Sequence, residues 1–219
     1  MNLFACALRC LPHAIAVLVI AVFCLANTFQ AHASAAVAPA NELFIAMLQG
    51  QMVSIPLLLL PVGVSLIISG WRQRLGGWFA RPSCTFGAAM GAFLLLCAFS
   101  YTVLAVMDPA EDQLTVVMFK QLNGLQSAVI AFFICLLVPF VEELHFRGVL
   151  MQSLPVAIGL PFSALLFAFA HGVNVYLFPL FLTGWMLGML RLRTGSLLVS
   201  ICAHAAFNTV SLLLTLLAS

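Results

Sequence analysis

Two adjacent carboxylates, Glu142 and Glu143, stand in an otherwise apolar stretch, and His145 and Arg147 follow within one helical turn. His171, His204 and Asn208 come later, again among apolar residues. A carboxylate beside an imidazole can deprotonate water. A second imidazole and an amide can donate hydrogen bonds to a developing oxyanion. Such a set suits hydrolysis of an amide by an activated water. No Ser/His or Cys/His pair stands out at this depth, and G-x-S-x-G and H-E-x-x-H are both absent.

Helical spacing sorts these groups. Glu143 and Arg147 are four residues apart, so they can pair on one face. Glu142 is rotated about 100° from Glu143 and faces elsewhere. Phe167 and His171 share one face of a second segment, and His204 and Asn208 one face of a third. Counted from the loops at one end, Glu142 lies roughly 16 Å up its helix, His171 roughly 24 Å, and His204 and Asn208 roughly 13 and 20 Å. These depths overlap, which predicts one cluster of Glu, two His and Asn.

The elements that carry the cluster must cross a membrane. The chain has 219 residues, 64% hydrophobic and 6% charged, with a mean hydropathy of +1.20. A soluble domain carries about 25% charge, so a soluble globular enzyme is excluded, as is disorder. One helical span needs roughly 20 apolar residues. The apolar runs are continuous rather than alternating, which disfavours a barrel. Net charge +2 from eight dispersed basic residues forms no nucleic-acid patch. The seven cysteines form no C-x-x-C pair and read as packing residues, with no disulfide framework and no zinc site.

The predicted fold is an all-α polytopic bundle of about six spans, over residues 51–70, 84–107, 123–150, 156–172, 174–190 and 196–217. An N-terminal region, 1–35, reads either as a signal peptide or as an uncleaved first helix. Arg9 precedes an apolar run, and Ala31-His32-Ala33 and Ala33-Ser34-Ala35 resemble cleavage sites. Residues 36–122 then form accessory helices and 123–219 the core that holds the polar cluster. Arg72, Arg74 and Arg81 in one short loop, Arg191 and Arg193 in another, and Arg9 all fall on one side, predicted to be cytoplasmic. Glu42, Asp108, Glu111 and Asp112 fall on the other, and Lys120 is the exception. Gly184 and Gly188 form a G-x-x-x-G that permits close helix approach.

Three stretches resemble the motifs of one family. Glu142-Glu143-Leu144-His145-Phe146-Arg147-Gly148 matches E-E-x-x-x-R, Phe167 to His171 matches F-x-x-x-H, and His204 to Asn208 matches H-x-x-x-N. Their order and spacing are similar to the CPBP family, the CAAX proteases and bacteriocin-processing enzymes, also called the type II CAAX prenyl endopeptidase or ABI family. The resemblance covers about residues 123–217. It implies a metal-free and cofactor-free glutamate-dependent intramembrane endopeptidase. Glu142 then corresponds to the water-activating glutamate and His171 to its partner. His204 and Asn208 correspond to the oxyanion-stabilising pair, with Glu143, Arg147 and Phe167 in support. His145 falls on a variable motif position.

The implied partner is a membrane-associated protein or peptide, cut near its C-terminus or leader, in a multi-pass protein of the bacterial inner membrane. Two other classes use the same residues. Glu142-x-x-His145 has the spacing of a di-iron ligand pair, which would make a metal-dependent hydrolase. A membrane chaperone, immunity protein or ion-coupled transporter would use the cluster for binding alone.

Overall fold

The computed structural model describes residues 10–22, 40–82, 119–172 and 176–217, with scattered positions between 87 and 102. The cleavage-like stretch at Ala31 to Ala35, most of the 84–107 segment, and Asp108, Glu111 and Asp112 lie outside the described residues. Every regular element among the described residues is helical. We number the helices α1 (Cys10–Val22), α2 (Ala40–Ser69), α3 (Trp71–Trp78), α4 (Gly124–Gln152), α5 (Val156–Ala170), α6 (Leu177–Thr194) and α7 (Leu197–Leu217). Among the described residues, three stretches are long and apolar enough to cross a membrane: Phe44–Ser69, Gly124–Gln152 and Leu197–Leu214. The chain is thus an all-α membrane bundle.

The elements depart from the apolar runs in identifiable ways. α2 starts at Ala40, well before the run at residue 51. Gln49, Gly50 and Gln51 interrupt the apolar pattern without stopping the helix. Its first turns are held by packing, because Phe44, Met47 and Leu48 meet Phe119, Leu122 and Ile130. α5 has only 15 residues, roughly 22 Å of helix against a hydrocarbon core of about 30 Å. α6 runs on through Arg191 and Arg193 to Thr194, so these arginines form its last turn rather than a loop. Cations there complement the exposed carbonyls of a helix end.

α4 is irregular where the carboxylates sit. Asn123 caps its start, accepting from the Gln126 backbone N–H while the Gln126 side chain accepts from Asn123 N. A π-helical stretch covers Phe133–Leu137, and α-helix resumes over Val138–Glu143. Pro139 in that stretch has no N–H to donate and would crowd a regular turn. The wider turn just before it relieves that conflict. A second π stretch, Leu144–Val149, follows Glu143 directly. Ser163 Oγ on α5 donates to Phe146 O within that stretch at 2.9 Å. Bulges of this type recur at functional sites.

The core unites the helices around α4. Val141, Leu144, Phe146, Val149 and Leu150 are buried with Leu58 and Val62 of α2, Phe167 of α5, and Leu197 and Ile201 of α7. Ala16, Val19 and Ile20 of α1 belong to the same cluster. Two hydrogen bonds mark one end of the bundle: Arg74 Nη1 donates to Gln152 Oε1 at 3.0 Å, and Arg191 Nη2 to Gly77 O at 3.2 Å. At the other end Gln126 Nε2 donates to Asn41 Oδ1 at 3.1 Å. The arginine-bearing end of α6, α3 and the end of α4 therefore share one face. Reporters fused after Gln73 and after Thr194 should both show cytoplasmic activity. Periplasmic activity at either site would overturn the sidedness drawn from the arginines.

Candidate active site

Glu143 lies at the centre of the polar cluster and is wholly buried. Its Oε1 accepts from Arg147 Nη1 at 2.8 Å and from His204 Nδ1 at 3.0 Å. The four-residue spacing on α4 allows the first contact, and the close approach of α7 allows the second. Arg147 Nη2 donates to Gly184 O of α6 at 2.9 Å. Its guanidinium carbon lies 4.7 Å from the Phe167 ring centroid and 5.7 Å from that of Phe146, within cation–π range. Four helices thus meet at one ion pair.

Gly184 makes that meeting possible. A Cβ at this position would stand 3.1 Å from Ala164 Cα and 3.2 Å from Phe167 Cδ1. A side chain here would drive α6 away from α5 and carry the Gly184 carbonyl off the guanidinium. The Phe167 ring also packs on both histidines, with centroids 4.7 Å from His171 and 5.6 Å from His204.

Glu142 faces a different set of groups. Its Oε1 lies 3.9 Å from His171 Nε2 and its Oε2 3.7 Å from His204 Nε2. Both separations exceed hydrogen-bond length, so neither imidazole occupies this carboxylate directly. The opposite ring nitrogens are engaged. His171 Nδ1 lies 2.8 Å from Phe167 O, and a carbonyl only accepts, so Nδ1 carries a proton. By the same rule His204 Nδ1–H donates to the Glu143 carboxylate. Each histidine is oriented through Nδ1 and turns Nε2 to Glu142. The His171 side chain is 35% exposed and that of Glu142 12%, against 3% for His204. Access to Glu142 is therefore on the His171 side.

Asn208 sits one turn beyond His204. Its Nδ2 donates to Ile134 O, in the first π stretch of α4, at 2.9 Å. The amide holds two protons, so this bond leaves a second one. His145 is tied to α2, its Nδ1 being 3.0 Å from Leu58 O. Among the described residues no group of three or more His, Cys, Asp or Glu is placed to hold a metal ion.

Sequence reasoning did not find the parts played by Gly184 O and Ile134 O. The G-x-x-x-G pattern signals a close approach of helices, but backbone acceptors carry no residue-type signal. Replacing Arg147 by Ala leaves Glu143 buried with one partner fewer, at a cost of about 3–5 kcal/mol. Arg147→Ala should therefore reduce the amount of folded protein in membranes, as read by quantitative immunoblot after detergent extraction. Unchanged accumulation would show that the pair is not needed for the fold.

Residues 124–210 match the family model described as type II CAAX prenyl endopeptidase Rce1-like. No curated protein matches the chain, and no solved structure does. The matched segment holds Glu142, Glu143, Arg147, Phe167, His171, His204 and Asn208 together. Over residues 124–210, therefore, the chain is similar to the Rce1-like type II CAAX prenyl endopeptidases.

Proposed function

We propose that this protein hydrolyses a peptide bond near the C-terminus or leader of a membrane-associated protein, using a water activated by Glu142. The observation that carries the reading is the contrast between the two carboxylates. Glu143 is committed to Arg147 and His204. Glu142 has an imidazole Nε2 on each side, neither within hydrogen-bond length. A carboxylate free to accept, and partly accessible, is what a general base requires. The family match supports endopeptidase chemistry on a membrane-associated substrate.

In this reading His171 and Glu142 hold the water. Glu142 takes its proton as the oxygen attacks the scissile carbonyl carbon, and a tetrahedral oxyanion forms. With a proton on Nε2, His204 donates toward that oxyanion, its Nδ1–H being already committed to Glu143. The remaining Asn208 amide proton serves the same end. Glu142 then passes its proton to the leaving nitrogen, the C–N bond breaks, and a carboxylate and an amine depart. No metal and no cofactor enters this sequence. The multi-pass fold and the arginine-rich face suit a bacterial inner membrane.

Cleavage of an S-prenylated peptide ending in a CAAX sequence, measured per unit of folded protein, tests the reading. Glu142→Gln should abolish cleavage while the protein still inserts and accumulates. His204→Ala or Asn208→Ala should slow cleavage by roughly 10²–10³-fold, the usual cost of one oxyanion donor. Wild-type turnover by Glu142→Gln would show that the cluster serves structure or binding. Activity of the purified protein should also survive strong chelation. Loss on chelation with recovery on adding zinc or iron would favour a metalloenzyme.

A further inference from the structure

The arginine-bearing end of the bundle concentrates positive charge. Arg72, Arg74, Arg81, Arg191 and Arg193 fall within residues 69–82 and 190–196, and neither stretch contains Asp or Glu. The segment 150–155, which joins them in space through Gln152, contains none either. Arg74 donates to Gln152 Oε1 at 3.0 Å and to Ser69 Oγ at 3.1 Å, and Arg191 donates to Gly77 O at 3.2 Å. All three acceptors are neutral. Among the described residues neither guanidinium has a carboxylate partner, and Arg191 Nε is shielded from water with no hydrogen bond. A charged donor left in this state favours an anion that brings its own oxygens.

The level at which these arginines sit identifies the anion. Ser69 is the last residue of the apolar stretch Phe44–Ser69, and Arg74 is bonded to its hydroxyl. The guanidinium therefore stands where hydrocarbon gives way to headgroups. α3 is flanked by Trp71 and Trp78, and tryptophan is enriched at that boundary. Trp78 is buried on α4, where Gly148 leaves room: a Cβ there would stand 3.2 Å from Trp78 Cε2. α3 is thereby fixed rather than free to swing. Beside Gln152 the exposed side chains are apolar, namely Leu154, Val156 and Ile158. A phosphate on the arginines with an acyl chain along these residues would satisfy both surfaces.

We propose that Arg74 and Arg191 form a binding site for the phosphodiester of an anionic membrane lipid, at the junction of α3, the end of α4 and the end of α6. Basic groups between helices at the cytoplasmic boundary bind such headgroups. This site is separate from the Glu142 cluster, and its test does not depend on turnover.

Native mass spectrometry of the purified full-length protein, released from detergent with equimolar phosphatidylglycerol and phosphatidylcholine, provides that test. Phosphatidylglycerol should be retained roughly thirtyfold over phosphatidylcholine, the effect of about two basic groups near a headgroup. Arg74→Gln and Arg191→Gln should each reduce that preference, and the double variant should remove it. Lys120→Gln should leave it unchanged. Inorganic phosphate at millimolar concentration should not displace the lipid. Equal retention of the two lipids by the wild type would overturn the proposal even if no variant could be purified. An unchanged preference in the double variant, or displacement by inorganic phosphate, would overturn it as well, the last pointing to a site for soluble anions.

Discussion

The arrangement depends on one carboxylate shared between two cations or donors in the middle of an apolar bundle. Glu143 Oε1 receives Arg147 from its own helix and His204 from α7. Burying such charges costs several kcal/mol per ion before any attraction is counted. A buried ion pair therefore adds little net stability beyond what apolar residues would supply, and its value lies in geometry. It leaves His204 one ring orientation, with Nδ1 on Glu143 and Nε2 turned to Glu142. The neighbouring carboxylate is left uncommitted because Arg147 Nη1 and the Nδ1–H of His204 are both taken by Glu143 Oε1.

The helices around this pair can be read as the means of bringing it together. Arg147 reaches the Gly184 carbonyl because the missing side chain at this position lets α6 pack closely on α5. Phe167 then fills the space between the guanidinium and both imidazoles. The two π stretches of α4 flank the carboxylates and expose carbonyls to neighbours: Ile134 O to Asn208 and Phe146 O to Ser163. Irregular backbone here is a means of contact between helices. The same packing fixes α3 through Trp78 and Gly148, which carries order from the site to the arginine-bearing face.

Much of the site can be read from the sequence for a physical reason. An ionisable group in an apolar helix is costly, hence rare, so Glu142, His171 and His204 stand out. Their overlapping depths predict the meeting, and the structure brings them within 4 Å. Four-residue spacing finds Glu143 with Arg147 just as directly. The same spacing places Asn208 on the face of His204 but does not show that its amide reaches a π-turn carbonyl. Pro139 signals a disturbed ladder without saying which side chains the disturbance re-aims. The start of α2 is hidden too, because Gln49 to Gln51 look like a boundary while packing by Phe44 and Met47 carries the helix past it. E-x-x-H spacing at Glu142 and His145 is the opposite case, a pattern whose histidine is engaged with Leu58 O on α2.

The central claim is that Glu142 activates a water and does not itself attack the substrate. Isotope placement tests it most directly. The enzyme would be turned over many times in ¹⁸O-water on the prenylated CAAX peptide, and both the product and the enzyme peptide containing Glu142 would be weighed by mass spectrometry. The account predicts ¹⁸O in the newly formed carboxylate of the product and none in Glu142. Label in the Glu142 carboxyl group would mean that this side chain forms a covalent intermediate, and would contradict the account.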